Sequence, residues 1–153
     1  MSAILIETLE VATIPVLSIA AADAVAAPVV IYMHGFTGQK EHGLEVGYQL
    51  AQAGFACIAF DAMAHGARDD GRIEAIAAGA QNTYPAASGL DMYLFMHQVI
   101  VQNSQDVQTL LSALADNHRF DFARLGVTGV SMGGFSSFYL AANSEVVRAA
   151  APV

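Results

Sequence analysis

A serine held between two glycines is the first candidate for chemistry. Ser131 lies in the pattern Gly129-x-Ser-x-Gly133, after an apolar run, Leu125 to Val130, and before an alanine-rich segment, Met132 to Ala142. The run predicts a buried strand and the segment predicts a helix. A sharp turn from strand to helix crowds the two backbones, so only residues without a Cβ fit two positions before and after the serine. The first helical N–H groups then favour an oxyanion beside Ser131, which predicts acyl transfer with this residue as nucleophile.

Two other interpretations of this stretch were weighed. The glycines and serine could form a tight turn without any catalytic role, because a five-residue pattern also arises by chance. A dinucleotide-binding loop is excluded, since Gly126, Gly129 and Gly133 do not have the G-x-G-x-x-G spacing. The nucleophile interpretation is preferred because a second motif accompanies it.

The second motif is His34-Gly35-Phe36-Thr-Gly, which follows the apolar strand predicted over Pro28–Met33. A His-Gly turn after such a strand can supply one of two backbone N–H groups that stabilise a tetrahedral oxyanion. We therefore predict that the amides of Phe36 and Met132 are the oxyanion donors. His34 itself is predicted to be a structural histidine that holds the loop, and not a general base.

A third group of polar residues follows the strand predicted over Phe55–Phe60. Asp61 and His65 lie on the loop at its carboxyl end, where open α/β sheets gather functional residues. Both residues precede the nucleophile in the chain. The preferred interpretation is that they cap and pin this turn, and a direct catalytic role is the less favoured alternative.

The elements that would position these residues alternate along the chain. Ile4 to Val11 and Ile14 to Ile19 predict an antiparallel strand pair at a sheet edge, and residues 40–53 and 96–117 predict helices. The region near 69–96 breaks this rhythm and is predicted to be an inserted or extended segment. The predicted fold class is α/β, with a doubly wound, mostly parallel sheet and helices on both faces.

Composition limits the function classes. The 153 residues are 55% hydrophobic and 13% charged, and the formal net charge is −8 with six Lys and Arg in total. Nucleic acids and anionic membranes require clustered basic residues, so neither is an expected partner. The lone Cys57 lies in an apolar run and predicts a core residue. The start of the chain is not typical of a secretory signal, and the expected location is cytoplasmic. No cofactor or metal site is predicted.

Three segments together resemble a known group of enzymes. His34–Glu41, Asp61–Arg68 and Arg124–Gly134 are similar, in order and spacing, to segments of bacterial α/β-hydrolase esterases related to the prolyl oligopeptidase catalytic domain and dienelactone hydrolases. The similarity runs from Pro28 to the end of the chain. It implies a carboxylic ester hydrolase with Ser131 as nucleophile, Phe36 and Met132 as oxyanion donors and a small-molecule ester as substrate. It does not predict the oligomeric state.

The rest of the expected triad has no matching residues. In α/β hydrolases the serine is followed by an Asp or Glu and then by a histidine. Here the histidines stand at positions 34, 42, 65, 97 and 118, all before Ser131, and only Glu145 follows as an acid. We therefore expect residues 1–153 to be the N-terminal portion of one domain, cut after about the sixth strand and inactive alone. A prolyl oligopeptidase-like peptidase and a non-catalytic binding module remain alternatives.

Overall fold

The structure is a computed structural model in which residues 2–82 and 87–153 are described. Its described residues form one six-stranded sheet in the order β1-β2-β4-β3-β5-β6. The strands are β1 (Ile4–Val11), β2 (Ile14–Ala21), β3 (Ala27–Met33), β4 (Ala56–Phe60), β5 (Phe120–Gly129) and β6 (Val147–Pro152). The helices are α1 (Leu44–Gln52), α2 (Arg72–Asn82), α3 (Ala87–Ala113) and α4 (Met132–Asn143).

The pairing of the strands confirms the predicted fold class. β1 and β2 form the predicted antiparallel pair, and β2 is also antiparallel to β4. The β3 strand is parallel to β4 and to β5, and β5 is parallel to β6. The carboxyl ends of β3, β4 and β5 therefore meet at one edge of the sheet, which is where the three motifs lie.

Side chains of the buried strands point alternately to the two faces of the sheet and form a core on each face. Ile31 packs on one face with Leu110 of α3 and Leu140 of α4. Its neighbour Tyr32 points to the other face and packs with Ala51 of α1. Side chains of successive strand residues point to opposite faces, so one apolar run supplies both cores. This arrangement places helices on both faces of the sheet, as the sequence predicted.

The predicted irregular region near 69–96 is largely helical where it is described. It contains α2 and the first part of α3, which begins at Ala87 and not at the predicted residue 96. Apolar packing outweighs the low helix propensity of Gly89. Phe95, Val99 and Ile100 of α3 are buried together in one cluster, which stabilises the helix. Pro85, which contributed to the prediction, lies outside the described residues.

Two further points concern the helices. The helix predicted over residues 40–53 divides into a 3₁₀ turn, Lys40–Gly43, and α1. Gly43 lies close to the sheet, because a Cβ there would be 2.8 Å from Cδ1 of Tyr32.

Within residues 2–82 and 87–153, no helix is long and apolar enough to cross a membrane.

Replacement of a buried leucine of α3 should separate core packing from helix propensity. Leu110 is fully buried, whereas Leu94 on the same helix is 53% exposed. We expect Leu110→Ala to lower the free energy of unfolding by about 2–5 kcal/mol, because it removes core contacts and leaves a cavity. The matched control Leu94→Ala should change it by less than about 1 kcal/mol. Urea denaturation measures both, and equal losses would contradict the assigned core.

Candidate active site

Ser131 lies at the junction of β5 and α4 with an unusual backbone conformation. Its φ is +53° and its ψ is −111°, and the residue is exposed. A positive φ costs a residue with a side chain about 1–3 kcal/mol, so the surroundings must hold it in place. The Ser131 N–H donates to the carbonyl of Val153 at 2.8 Å, and the Phe135 N–H donates to the Ser131 carbonyl at 2.9 Å. The serine is thus fixed on both sides of a tight turn.

The two glycines of the motif lie where the strand and the helix touch. A Cβ on Gly133 would overlap the carbonyl oxygen of Met33, at the end of β3. A Cβ on Gly129 would lie 2.5 Å from the same oxygen. Both positions exclude any side chain, which is the physical reason for the glycines that the sequence suggested.

The loop after β3 lies against this turn. The Val130 N–H donates to the Met33 carbonyl at 3.2 Å. A Cβ on Gly35 would be 3.3 Å from the Val130 carbonyl oxygen and 3.8 Å from the Ser131 Cβ. Gly35 therefore allows the loop that carries Phe36 to approach the serine closely.

The side chains of both predicted oxyanion donors enter one apolar cluster. Met132, the first residue of α4, is fully buried there with Phe95 of α3, and the half-buried Phe36 packs against the same cluster. The Phe36 ring lies 5.5 Å from the ring of His65 and 6.4 Å from that of Phe95. The first N–H groups of a helix lack intrahelical acceptors, so the Met132 amide has no acceptor within α4. The role of the two amides as oxyanion donors remains a prediction.

His34 is buried beneath the loop and both of its ring nitrogens have partners. Nδ1 lies 2.8 Å from the Gly35 carbonyl oxygen, and Nε2 accepts the Ala62 N–H at 3.1 Å. This arrangement requires the neutral ring with its proton on Nδ1. Burial lowers the pKa of His34, and the nearby His65 lowers it further, against the opposing hydrogen bond to Gly35. Both nitrogens are therefore occupied and neither is available as a base, and the role of His34 in holding the loop remains a prediction.

His65 is the second buried histidine of this edge. Its Nδ1 lies 2.8 Å from the Met63 carbonyl oxygen, and its ring centroid lies 5.1 Å from that of His34. Burial lowers the pKa of His65, although the bond to Met63 and the nearby Asp61 oppose this. Nε2 has no hydrogen-bond partner within the described part of the chain. The histidine is therefore neutral, and its role in shaping the turn remains a prediction.

Asp61 is fully buried and gathers donors from two loops. It accepts the Lys40 N–H at 2.8 Å, the Lys40 ammonium at 2.9 Å and the Ala67 N–H at 3.0 Å. Burial alone would raise the pKa of Asp61, but these hydrogen bonds and the Lys40 charge outweigh it and lower the pKa. The carboxylate is therefore charged, and its role in pinning the turn remains a prediction.

Lys40 is the member of this group that sequence reasoning missed. It is 6% exposed, and its ammonium also lies 3.0 Å from a carboxylate oxygen of Glu41. Burial would lower the pKa of Lys40, but Asp61 and Glu41 outweigh it and raise the pKa. The available signal was a lysine just after the His34 loop and an aspartate at the end of the neighbouring strand.

An open apolar recess lies beside the serine. Its volume is about 260 Å³, and it is lined by Ser131, Gly134, Phe135, Phe138, Pro152 and Val153. Phe135 and Phe138 are 58% and 61% exposed, so α4 presents two aromatic rings on the surface next to the nucleophile candidate. Among residues 2–82 and 87–153, no hydrogen bond joins the Ser131 hydroxyl to another residue.

Comparison with known proteins identifies the family of this chain. Residues 16–153 match the profile of the dienelactone hydrolase family. The chain belongs to the dienelactone hydrolase family. Among curated relatives, the esterase YjfP of Escherichia coli (strain K12) is 33% identical over 149 residues, which are 95% of this chain and 53% of YjfP. YitV of Bacillus subtilis (strain 168) is 29% identical over 112 residues, which are 73% of this chain and 38% of YitV. This member of the family thus spans about half or less of the length of these relatives.

Solved structures support the same fold. TT1662 from Thermus thermophilus has a TM-score of 0.69 and 23% identity, with 98% of this chain and 56% of TT1662 covered. The dienelactone hydrolase-like promiscuous phosphotriesterase P91 from metagenomic libraries has a TM-score of 0.71 and 18% identity, with 99% and 59% covered. At these identities the likeness extends to the α/β-hydrolase fold alone. The resemblance inferred from the three sequence segments is therefore confirmed for the dienelactone hydrolases.

Substitution of a motif glycine should separate steric overlap from chain flexibility. Gly133→Ala places a Cβ into the Met33 carbonyl, so we expect it to lower the free energy of unfolding by about 3 kcal/mol or more. Gly126→Ala is the matched control, since its Cβ would find its nearest neighbours at 3.7 Å. That change should be neutral or stabilise by up to about 1 kcal/mol. Thermal denaturation followed by circular dichroism measures both, and an equally stable Gly133→Ala variant would contradict the close crossing.

Mild acid should destabilise this fold through the two buried histidines. The pKa values of His34 and His65 are lowered in the folded state, so below their ordinary value of 6.5 the unfolded chain binds more protons. The free energy of unfolding should therefore fall from about pH 7 to pH 5, by at most about 1.4 kcal/mol per pH unit for each histidine. The lowered pKa of Asp61 acts only at lower pH, because its ordinary value is 3.8.

Replacing both buried histidines by residues that keep one hydrogen bond of each imidazole should reduce this pH dependence. In His65→Asn the amide can still donate to the Met63 carbonyl, and in His34→Gln the side-chain oxygen can still accept from Ala62. The double variant should show a flatter dependence in urea titrations at each pH. His97→Asn is the control, because it removes an exposed imidazole of α3. An unchanged slope in the double variant would contradict the assignment.

Proposed function

We propose that residues 1–153 form the nucleophile-bearing part of a serine esterase. The observation that carries the proposal is the positive φ of Ser131, an exposed residue at the turn between β5 and α4. Strained residues concentrate at functional sites, because the rest of the fold must compensate for their cost. Membership in the dienelactone hydrolase family and the likeness to the esterase YjfP support ester hydrolysis over peptide hydrolysis.

The proposed reaction has two acyl-transfer steps. The Ser131 oxygen attacks the ester carbonyl while a base takes the hydroxyl proton. The resulting oxyanion accepts hydrogen bonds from the amides of Phe36 and Met132, and the C–O bond to the alcohol then breaks as the base returns the proton to it. Water repeats the sequence on the acyl-enzyme and releases the carboxylic acid. The apolar recess beside Ser131 would receive an apolar part of the ester.

The base for this reaction is proposed to lie outside residues 1–153. His34 uses both ring nitrogens in hydrogen bonds, and the unpartnered Nε2 of His65 is buried. His42, His97 and His118 are exposed, and none of them is hydrogen-bonded to Ser131 within the described residues.

A non-catalytic binding module is the second candidate. The lack of a suitable base among the described residues favours it, because a serine hydroxyl without a base is a poor nucleophile. In that case the recess beside Ser131 would bind an apolar group without reacting with it. The two candidates differ in whether Ser131 is activated in a longer protein.

Covalent labelling with a fluorophosphonate probe tests the proposal. A protein that extends beyond Val153 should react at Ser131, and Ser131→Ala should abolish the labelling and lower ester hydrolysis by at least about a thousandfold. Ser144→Ala is the control, since this serine follows α4 and is only half-buried. Residues 1–153 alone should remain unlabelled.

Each other outcome has a defined meaning. Labelling of residues 1–153 alone would show that the base lies within them, against the proposal. A longer protein that stays unlabelled and does not hydrolyse p-nitrophenyl acetate would reject the esterase and favour the binding module. Mass spectrometry of the labelled peptide identifies the modified residue.

A further inference from the structure

Two contacts hold the loop between β3 and α1 at both of its ends. At the first end, Nε2 of His34 accepts the Ala62 N–H at 3.1 Å. At the other end, the Lys40 N–H and the Lys40 ammonium donate to the two oxygens of Asp61, at 2.8 Å and 2.9 Å. Asp61 and Ala62 are consecutive residues at the carboxyl end of β4. A single point on the neighbouring strand therefore fixes residues 34 and 40, and Phe36 lies between them.

The ion pair that holds this surface loop has a large desolvation cost. Asp61 is fully buried, and the Lys40 side chain is 8% exposed, so both charges have lost most of their hydration. A buried ion pair often stabilises a fold no more than apolar residues of similar volume. Apolar residues could not fix the orientation of the loop, because packing has little directional preference. The Asp61 carboxylate can, because it accepts hydrogen bonds from both the backbone N–H and the side-chain ammonium of Lys40. That double contact fixes the backbone of residue 40 as well as its side chain.

The apolar cluster complements this arrangement from the side of the helix. Phe36 packs on the cluster that buries Met132, and its ring meets that of His65, which follows Asp61 by four residues. The loop around Asp61 thus contacts the Phe36 loop at both ends and in the middle. Met132 needs no such contacts, because its amide belongs to the first turn of α4.

We propose that Lys40 and Asp61 are positioning residues for the Phe36 amide, whose direction their buried pair fixes by holding the loop at residue 40. The inference rests on the proposed function, in which this amide binds the oxyanion. Neither side chain touches the ester. The effect on the reaction is expected in kcat and not in KM, because the oxyanion is formed only after the substrate has bound.

The test uses the double variant Lys40→Met/Asp61→Asn. A single substitution would leave a buried charge without its partner, which typically costs about 3–5 kcal/mol and could prevent folding. The double variant removes both charges and keeps similar side-chain lengths, so no isolated charge is buried. The amide that replaces the Asp61 carboxylate has one acceptor oxygen, so it can bind only one of the Lys40 and Ala67 N–H groups. The matched control is Arg124→Met/Asp121→Asn, which makes the same chemical changes in an ion pair that is 57% and 27% exposed.

The first measurement is the NMR order parameter of the Phe36 amide in residues 1–153, which requires no activity. We expect it to fall from about 0.85 to below about 0.6 in the double variant, while that of Met132 stays near about 0.85. The control pair should change neither value. An unchanged Phe36 value, or an equal fall at Met132, would overturn the proposal, since the pair would then have no local effect on the loop.

The second measurement is ester hydrolysis by the longer protein, without the fluorophosphonate probe. The double variant should lower kcat about tenfold to a hundredfold with KM within about twofold, since a misdirected donor weakens only the oxyanion. A kcat within about twofold of the parent, or a change in KM alone, would overturn the proposal. If Ser131→Ala keeps full activity, the proposed function fails, and the order parameters still decide whether the pair directs the loop.

Discussion

The crossing of three backbones at Met33 is the constraint on which the site depends. The carbonyl of Met33, at the end of β3, lies against Gly129 of β5 and Gly133 of α4 with no space for a Cβ on either glycine. This close approach lets the chain turn within two residues from strand to helix, and it forces Ser131 to a positive φ. The same carbonyl accepts the N–H of Val130. The sheet, the turn and the helix are therefore fixed relative to one another by atoms of the main chain, which substitution of side chains cannot easily change.

Two kinds of interaction surround this crossing and have different physical properties. The apolar cluster that contains Met132 and Phe95 and packs against Phe36 has little directional preference, and it fixes distance through close packing. The polar contacts of His34 and Asp61 have strict geometry, and they fix orientation. In low dielectric surroundings such hydrogen bonds are strong when complete and costly when broken. Both interactions constrain the loop of Phe36.

The sequence predicted the parts of this molecule that depend on local patterns. Apolar runs located the strands β1 to β5, and the spacing of Gly129, Ser131 and Gly133 located the turn, because these features involve neighbours in the chain. The start of α3 was missed, since a glycine in its first turns is opposed by apolar contacts with distant residues. The pairing of Lys40 with Asp61 was missed for a related reason. It depends on β3 and β4 being neighbours in the sheet, whereas the spacing of 21 residues carries no signal of its own.

The shared carboxylate of Asp61 also limits how this part of the protein can evolve. Its oxygens bind residues 40 and 67, and the backbone carbonyl of Asp61 accepts a hydrogen bond from Arg68, so two other stretches of chain meet at one amino acid. A replacement of either charged partner alone passes through a state with an isolated buried ion, which selection removes as unstable. A change from the ion pair to an apolar pair would thus pass through an unstable single substitution. Lys40 and Asp61 should therefore be inherited together or lost together.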